Sequence, residues 1–267
     1  LIEPYSGDPK FLYFPQRMKL TASDGASDDR FGSSIAFDGN TALIGAPGDG
    51  WYSDYGDDFD NGSVYVFTRT GTDDSTWTET MKLTASDGDF SDGRFGIYIA
   101  FDGNTALIGA PVDDDNGSVY VFTRTGTDDS TWTETKKLTA SDGASDDRFG
   151  ISIAFDGNTA LIGAYSDDDN GSVYVFTRTG TDDSTWTETK KLTASDGASD
   201  DSFGISIAFD GNTALIGAYG DNFDNGSVYV FTRTGTDDST WTETKKLTAS
   251  DGAYTDSFGI PIAFDGN

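Results

Sequence analysis

The sequence predicts an all-β chain: a β-propeller of four-stranded antiparallel blades, about five blades with the last one split between the termini. Three observations carry that expectation. The stretch GSVYVFTRTGTDDSTWTET begins at Gly62 and returns unchanged at Gly117, Gly171 and Gly226. The pair Phe-Gly recurs at Phe31, Phe95, Phe149, Phe203 and Phe258, at spacings of 64, 54, 54 and 55 residues. Of the 46 acidic residues, glutamate supplies only Glu3, Glu79, Glu134, Glu188 and Glu243. Aspartate suits turns and caps, where its short carboxylate bonds nearby backbone. Thr, Ser, Val, Ile, Phe and Tyr fill most of the remainder, as strands require.

The elements follow in order within each unit. In the third, FGISIAF (Phe149 to Phe155) alternates along its length, and TALIGA (Thr159 to Ala164) is nearly all apolar, as expected where both faces are covered. SVYVFTRT (Ser172 to Thr179) carries the β-branched and aromatic residues of a half-buried pleat, and TWTETKKLTAS (Thr185 to Ser195) reads as an edge strand protected by charge. DGN and GTDDST supply the turns. Four meandering strands with a charged outermost member make a blade. An open β-solenoid would share the fixed period, but roughly 40 to 50 residues per unit is the propeller range. The long first spacing comes mainly from one enlarged loop, PGDGWYSDYGDDFD, between Ala46 and Asn61.

Two segments are expected: an N-terminal extension, residues 1–16, and the propeller, residues 17–267. In the extension, Phe11, Leu12, Tyr13 and Phe14 resemble the aromatic strand VYVF and form a candidate donated strand for a neighbouring copy. The split blade would take an outer strand near 17–23 and an inner strand from Phe258, without its two middle strands. Trp51, Tyr52 and Tyr55 break the repeat symmetry in the enlarged loop and are contact candidates. The chain opens on Leu1 without a charged-then-apolar leader, which reads as a processed or partial chain.

The net charge of -29 repels phosphate backbones and anionic head groups. Nucleic acid is therefore not an expected partner. No apolar run approaches the ~20 residues of a membrane span, so membrane insertion is not expected either. With 0 cysteines and 0 histidines, the chain offers no thiol nucleophile and no imidazole base. Catalysis needs unlike residues converging on one place, as with paired carboxylates of different pKa. Near-identical units put the same residue on every blade, so no catalytic residue is assigned and the chain is not expected to be an enzyme.

Second-to-third and fourth-to-first connections should emerge on one face of each blade. Asp113, Asp114, Asp115, Asp146, Asp147, Asp167, Asp168 and Asp169 are therefore candidate ligands for Ca2+, the one possible cofactor, set against a merely solvated surface. The sequons at Asn61, Asn116, Asn170 and Asn225 are candidate N-glycan sites or simply Asn-Gly turns entering a strand. Trp77, Trp132, Trp186 and Trp241 recur beside the turn into the outer strand, placed for cross-strand packing or for stacking on a sugar.

The order Phe-Gly, apolar strand, Gly-Ala-Pro, as in FGSSIAFDGNTALIGAP (Phe31 to Pro47) and FGIYIAFDGNTALIGAP (Phe95 to Pro111), resembles the FG-GAP repeat of integrin-α-like β-propellers. KLTASDGASDDRFG (Lys137 to Gly150) with DDDNGSVYVF (Asp167 to Phe176) is similar to the FG-GAP repeats of secreted and surface bacterial proteins, and the resemblance covers residues 18–267. The integrin-type calcium loop is replaced here by the tight turn FDGN. The resemblance implies an extracellular or cell-surface module. Together with the unfinished blade it gives the expected function: a non-enzymatic structural or adhesive propeller, self-associating head-to-tail into a filament. The alternative is a carbohydrate-binding or carbohydrate-processing five-bladed propeller with glycans as partners.

Overall fold

A computed structural model describes residues 18–49, 62–69, 76–87, 93–125, 131–180, 185–221, 225–235 and 240–264. Among these the architecture is four antiparallel sheets of four strands, each a meander in sequence order. The first blade is β1 (Ser34–Asp38), β2 (Thr41–Ala46), β3 (Ser63–Arg69) and β4 (Trp77–Leu83). The second is β5 (Tyr98–Asp102), β6 (Thr105–Ala110), β7 (Ser118–Arg124) and β8 (Trp132–Leu138). The third is β9 (Ser152–Asp156), β10 (Thr159–Ala164), β11 (Ser172–Thr177) and β12 (Thr187–Leu192). The fourth is β13 (Ser206–Asp210), β14 (Thr213–Ala218), β15 (Ser227–Thr232) and β16 (Thr242–Leu247). A short 3-10 turn at Asp167–Asp169 interrupts the β pattern.

Local chemistry sets each hairpin. Asp38 pairs with Thr41, leaving Gly39 and Asn40 as a two-residue loop, and Gly39 takes φ 59°. A positive φ at the first loop position is what glycine permits and what keeps the strands' right-handed twist. Asn40 follows because its Oδ1 accepts from Arg69 Nε at 3.1 Å, tying the turn to the end of β3. Between β3 and β4 the register slips after Val66, so that Thr80 is the extra residue of a bulge. Its hydroxyl donates to the Val66 carbonyl at 3.3 Å, and Thr135, Thr189 and Thr244 do the same in the other blades.

Blades pack through their innermost strands, β1 on β5, β5 on β9 and β9 on β13. Each joint has a fixed chemistry. Leu43, Val66 and Leu83 on the back of the first blade meet Phe95, Ile108, Tyr120, Phe122 and Trp132 on the front of the second. Phe95, Phe149 and Phe203 are fully buried there, each edge-on to the Tyr and Phe of its own unit's third strand, as in Phe149 to Tyr174 at 5.6 Å and to Phe176 at 5.9 Å. The Phe of each Phe-Gly pair is thus an inter-blade wedge.

Glycine lets the backbones touch at these joints. A Cβ on Gly163 would fall onto the carbonyl oxygen of Gly204 in the next blade. Gly163→Ala is therefore expected to push the third and fourth blades apart and to cost about 1–3 kcal/mol, read as a lower melting temperature by circular dichroism.

Where described, the two terminal stretches expected as strands of the split blade, 17–23 and 258–264, are not strands. Their pairing partners would be the two middle strands of that blade, and a strand needs a ladder to lie on. The segments nevertheless stand at the right joints. Leu20, Ala22 and Phe31 pack on the front of the first blade. Phe258 N donates to Asn225 O at 3.0 Å, and Gly259 O accepts from Ser206 Oγ at 2.5 Å, as Phe203 and Gly204 do one blade earlier. Among the described residues no comparable strand contact joins β13 back to β1.

Candidate functional site

The loops converge on one face, as the topology demands, and each brings aspartates to a lysine on the outer strand. In the second blade Lys137 Nζ lies 2.7 Å from Asp87, 2.8 Å from Asp113 and 2.6 Å from Asp114. The Tyr120 hydroxyl stands 2.7 Å from Asp87 Oδ1 and 2.8 Å from Asp113 Oδ2, so its proton serves both carboxylates. Lys82 with Asp24 and Asp49, Lys191 with Asp142, Asp167 and Asp168, and Lys246 with Asp196 and Asp221 repeat the arrangement. One aspartate comes from the loop before the blade and another from the second-to-third connection within it, so every cluster staples adjacent units.

Electrostatics follow from that geometry. Burial by itself would lower the Lys137 ammonium, but hydrogen bonds to Asp113, Asp114 and Asp87 outweigh it and raise the pKa well above the usual lysine value. Hydrogen bonds from Lys191 and then Tyr174 hold Asp142 below the ordinary carboxylate range, and Lys246 with Tyr229 does the same for Asp196. Asp147 and Asp201 are pushed the other way, by burial, although each accepts a backbone N–H, from Ala144 at 2.5 Å and Ala198 at 2.6 Å.

The candidate calcium ligands are therefore distributed over four roles. Asp113, Asp114, Asp167 and Asp168 surround lysines. Asp147 closes its own loop, and Asp146 pairs with Arg148 at 3.0 Å. Asp115 and Asp169 contribute carbonyl oxygens that accept from Asp146 N and Asp200 N at 2.8 Å. Among the described residues no group of three or more acidic side chains is disposed to hold a metal ion. In each cluster the carboxylates meet a lysine ammonium.

Asn116, Asn170 and Asn225 have a packing role: their carbonyls accept from Phe149, Phe203 and Phe258 N. The Asn116 amide nitrogen lies 2.9 Å from where a Gly143 side chain would begin, and Asn170 stands the same way 3.1 Å from Gly197. A sugar on either nitrogen must share that space with the next unit's loop. Trp132, Trp186 and Trp241 are buried, their rings tilted at 57° to 59° against Phe101, Phe155 and Phe209 with centroids 5.7 to 5.8 Å apart, and an arginine guanidinium lies above each indole. They are packing residues. Asn61, Trp51, Tyr52, Tyr55 and Phe11 to Phe14 lie outside the described residues.

Sequence reasoning missed the lysines. Their signal was present: Lys-Leu-Thr-Ala-Ser-Asp recurs from Lys19, Lys82, Lys137, Lys191 and Lys246, one cation five residues ahead of an aspartate in every unit.

The faces at the two ends of the blade series are exposed among the described residues. Phe258 is 37% exposed where its three buried equivalents are at 0%, and Ile35 and Phe37 on β1 are 65% and 58% exposed. On the back of the fourth blade Leu215, Val230 and Leu247 are half-buried, while Leu161, Val175 and Leu192 at the same positions of the third are buried.

The FG-GAP repeat profile matches residues 14–67, 77–122, 132–176, 186–231 and 241–267. The chain belongs to the FG-GAP repeat family. Its repeats fit a propeller of about five blades, of which four are complete sheets among the described residues. No curated protein sequence matches it. Among solved structures it is similar to a 6-phosphogluconolactonase-like protein of Bacteroides fragilis, with TM-score 0.52 and 14% identity over 82% of this chain and 57% of that one. Sqt1 from Chaetomium thermophilum follows, with TM-score 0.47 and 15% identity over 77% of this chain and 44% of its own. The FG-GAP chain thus spans about half the length of the structures it resembles. At such identity the likeness is one of fold.

Proposed function

We propose that this FG-GAP protein is an extracellular, non-enzymatic structural or adhesive propeller, the subunit of a surface filament assembled head-to-tail through its N-terminal segment. The observation that supports the reading is the exposure of the front of the first blade and of the back of the fourth. The front of the first blade and the back of the fourth are unlike halves of a contact that the chain makes three times internally. Two different apolar faces on one molecule invite a heterologous contact, and such contacts propagate when they do not close. FG-GAP repeats occur in extracellular proteins, in keeping with the proposed location. Every blade offers the same lysine–tyrosine–aspartate cluster, consumed in holding neighbouring units together, and this suits a rigid scaffold rather than a reaction centre.

Electron microscopy of the purified full chain is expected to show regular fibres at neutral pH without added ligand, and deletion of residues 1–16 is expected to abolish them while leaving the circular dichroism spectrum unchanged. A full chain that stays monomeric by light scattering up to millimolar concentration overturns the filament.

A further inference from the structure

Asn-Gly is a chemically fragile step in a polypeptide, because glycine puts no side chain in the way of its own nitrogen attacking the asparagine. The glycine N attacks Cγ, the Cγ–Nδ2 bond breaks, and ammonia leaves with the proton that the attacking nitrogen gives up. Water then opens the cyclic imide to aspartate or to its β-linked isomer. No other reagent is needed. Asn116-Gly117 stands at the joint between the second and third blades, and Asn170-Gly171 at the joint between the third and fourth.

The fold holds both peptides away from that reaction. Closure of the five-membered imide needs the glycine nitrogen eclipsed with Cβ about the asparagine Cα–C bond. Asn170 has φ -113° and ψ -13°, which turns the Gly171 nitrogen away from the side chain. That nitrogen is also engaged: Gly171 N donates to Asp167 O at 2.8 Å, and Gly117 N to Asp113 O at 2.8 Å. The carbonyl of the same peptide is held by the next blade, since Asn116 O accepts from Phe149 N and Asn170 O from Phe203 N, both at 2.9 Å. Rotating the peptide into reach of Cγ breaks both bonds at once. Space forbids it as well. A Cβ on Gly117 or Gly171 would fall 2.2 Å from the carbonyl oxygen of Phe149 or Phe203, so each glycine is wedged against the backbone of the following unit. The next residue, Ser118 or Ser172, is fully buried.

We propose that Asn116 and Asn170 are latent sites of hydrolytic deamidation, shut by the joint to the following blade and released when that joint opens. Each asparagine thereby records the opening of its own joint, in a reaction that does not run back. A β-linked residue adds one atom to the main chain of a turn clamped at both ends, and in either product a carboxylate replaces the amide. The Asn116 amide nitrogen lies 2.9 Å from where a Gly143 side chain would begin, and that of Asn170 3.1 Å from the same point at Gly197. The new charge therefore faces a loop that already carries Asp142, Asp146 and Asp147, or Asp196, Asp200 and Asp201. Like charges across the joint oppose its reclosing.

The full natural chain and two variants, Phe149→Ala and Phe203→Ala, are incubated in neutral buffer, and peptide mapping by mass spectrometry follows amide-to-acid conversion at each asparagine. In the natural chain both sites are expected to convert about a hundredfold more slowly than in the same chain unfolded in urea, because only the open population reacts. Phe149→Ala loosens the joint on Asn116 and is expected to speed that site about tenfold or more over Asn170, and Phe203→Ala reverses the preference. Circular dichroism establishes that each variant is folded. Where one is not, the natural chain in urea below its unfolding transition takes its place, and both sites are expected to accelerate there as denaturant rises. Conversion of the natural chain at the unfolded rate overturns the proposal. Equal acceleration of the two sites in a folded variant, or a rate that ignores urea until the whole chain unfolds, overturns it as well.

Discussion

Phe149→Ala is expected to destabilise the chain by about 3–5 kcal/mol, while Phe258→Ala costs roughly 1 kcal/mol or less. The two residues occupy the same place in the repeat. Phe149 is fully buried between the second and third blades, with Leu107, Val119, Val121 and Leu138 on one side and Tyr174 and Phe176 on the other. Removing its ring leaves a cavity that two rigid sheets, held at contact through Gly109 and Gly150, cannot close. Phe258 has only part of that surrounding and is 37% exposed, so its ring already lacks many of those contacts. Thermal or denaturant unfolding of the two variants side by side reads the difference. Equal effects would mean that the inter-blade wedge is not where the ring's stabilisation comes from. Because each blade contacts only its neighbours, loss of one joint should also broaden the transition, as in other repeat architectures.

Much of this architecture was legible before any coordinates, because each level of the sequence points the same way. TALIGA is apolar at every second and most intervening positions, and β2, β6 and β10 are buried throughout. TETKKL alternates with charge, and β12 and β16 are edge strands with their solvent side exposed. The recurrence of Phe-Gly marks the joints, where the glycine after the ring lets the backbones approach closely. The acidic loops were harder. Asp113 and Asp167 look alike as metal ligands or as partners of a cation, and what separates the two readings is a lysine 24 residues further along, on a strand whose other charges face water. Strand-to-loop convergence is a tertiary fact, and alternation alone does not say which of Lys136 and Lys137 turns inward. The bulge at Thr135 decides it, and bulges leave little trace in composition. The tryptophans were easier: cross-strand packing was one of the two readings of Trp132 beside its turn, and the Phe101 ring and the Arg124 guanidinium enclose it.

Lys137→Met is expected to cost about 2–4 kcal/mol at pH 7, less than for a wholly buried pair because the side chain is about a fifth exposed and water still screens it. The substitution leaves Asp87, Asp113 and Asp114 facing one another and Tyr120 without a cation nearby, and Asp113 is the one that cannot reach solvent. The neighbouring Lys136→Met, on the exposed side of β8, should stay within roughly 0.5 kcal/mol. The pH dependence separates charge from packing. Burial disfavours the Asp87 carboxylate, but hydrogen bonds from Lys137 and Tyr120 prevail and its pKa is lowered on folding from 3.8, so its contribution is present above that value and is lost as pH falls through the lower folded one. The Lys137 ammonium is held more tightly in the fold than at its unfolded value of 10.5, so its contribution is complete below that pH and fades above it. The stability gap between natural chain and Lys137→Met is therefore widest from about pH 5 to pH 10 and narrows below about pH 4, as the carboxylates take up protons and no longer need the cation. Urea titrations at pH 3.5, 7 and 9 measure it. A gap that is flat across that range would assign the lysine's role to its aliphatic stem lying on Tyr120, whose ring centroid is 5.2 Å from Nζ, and the clusters would then be apolar clasps with charged ends rather than ionic staples between blades.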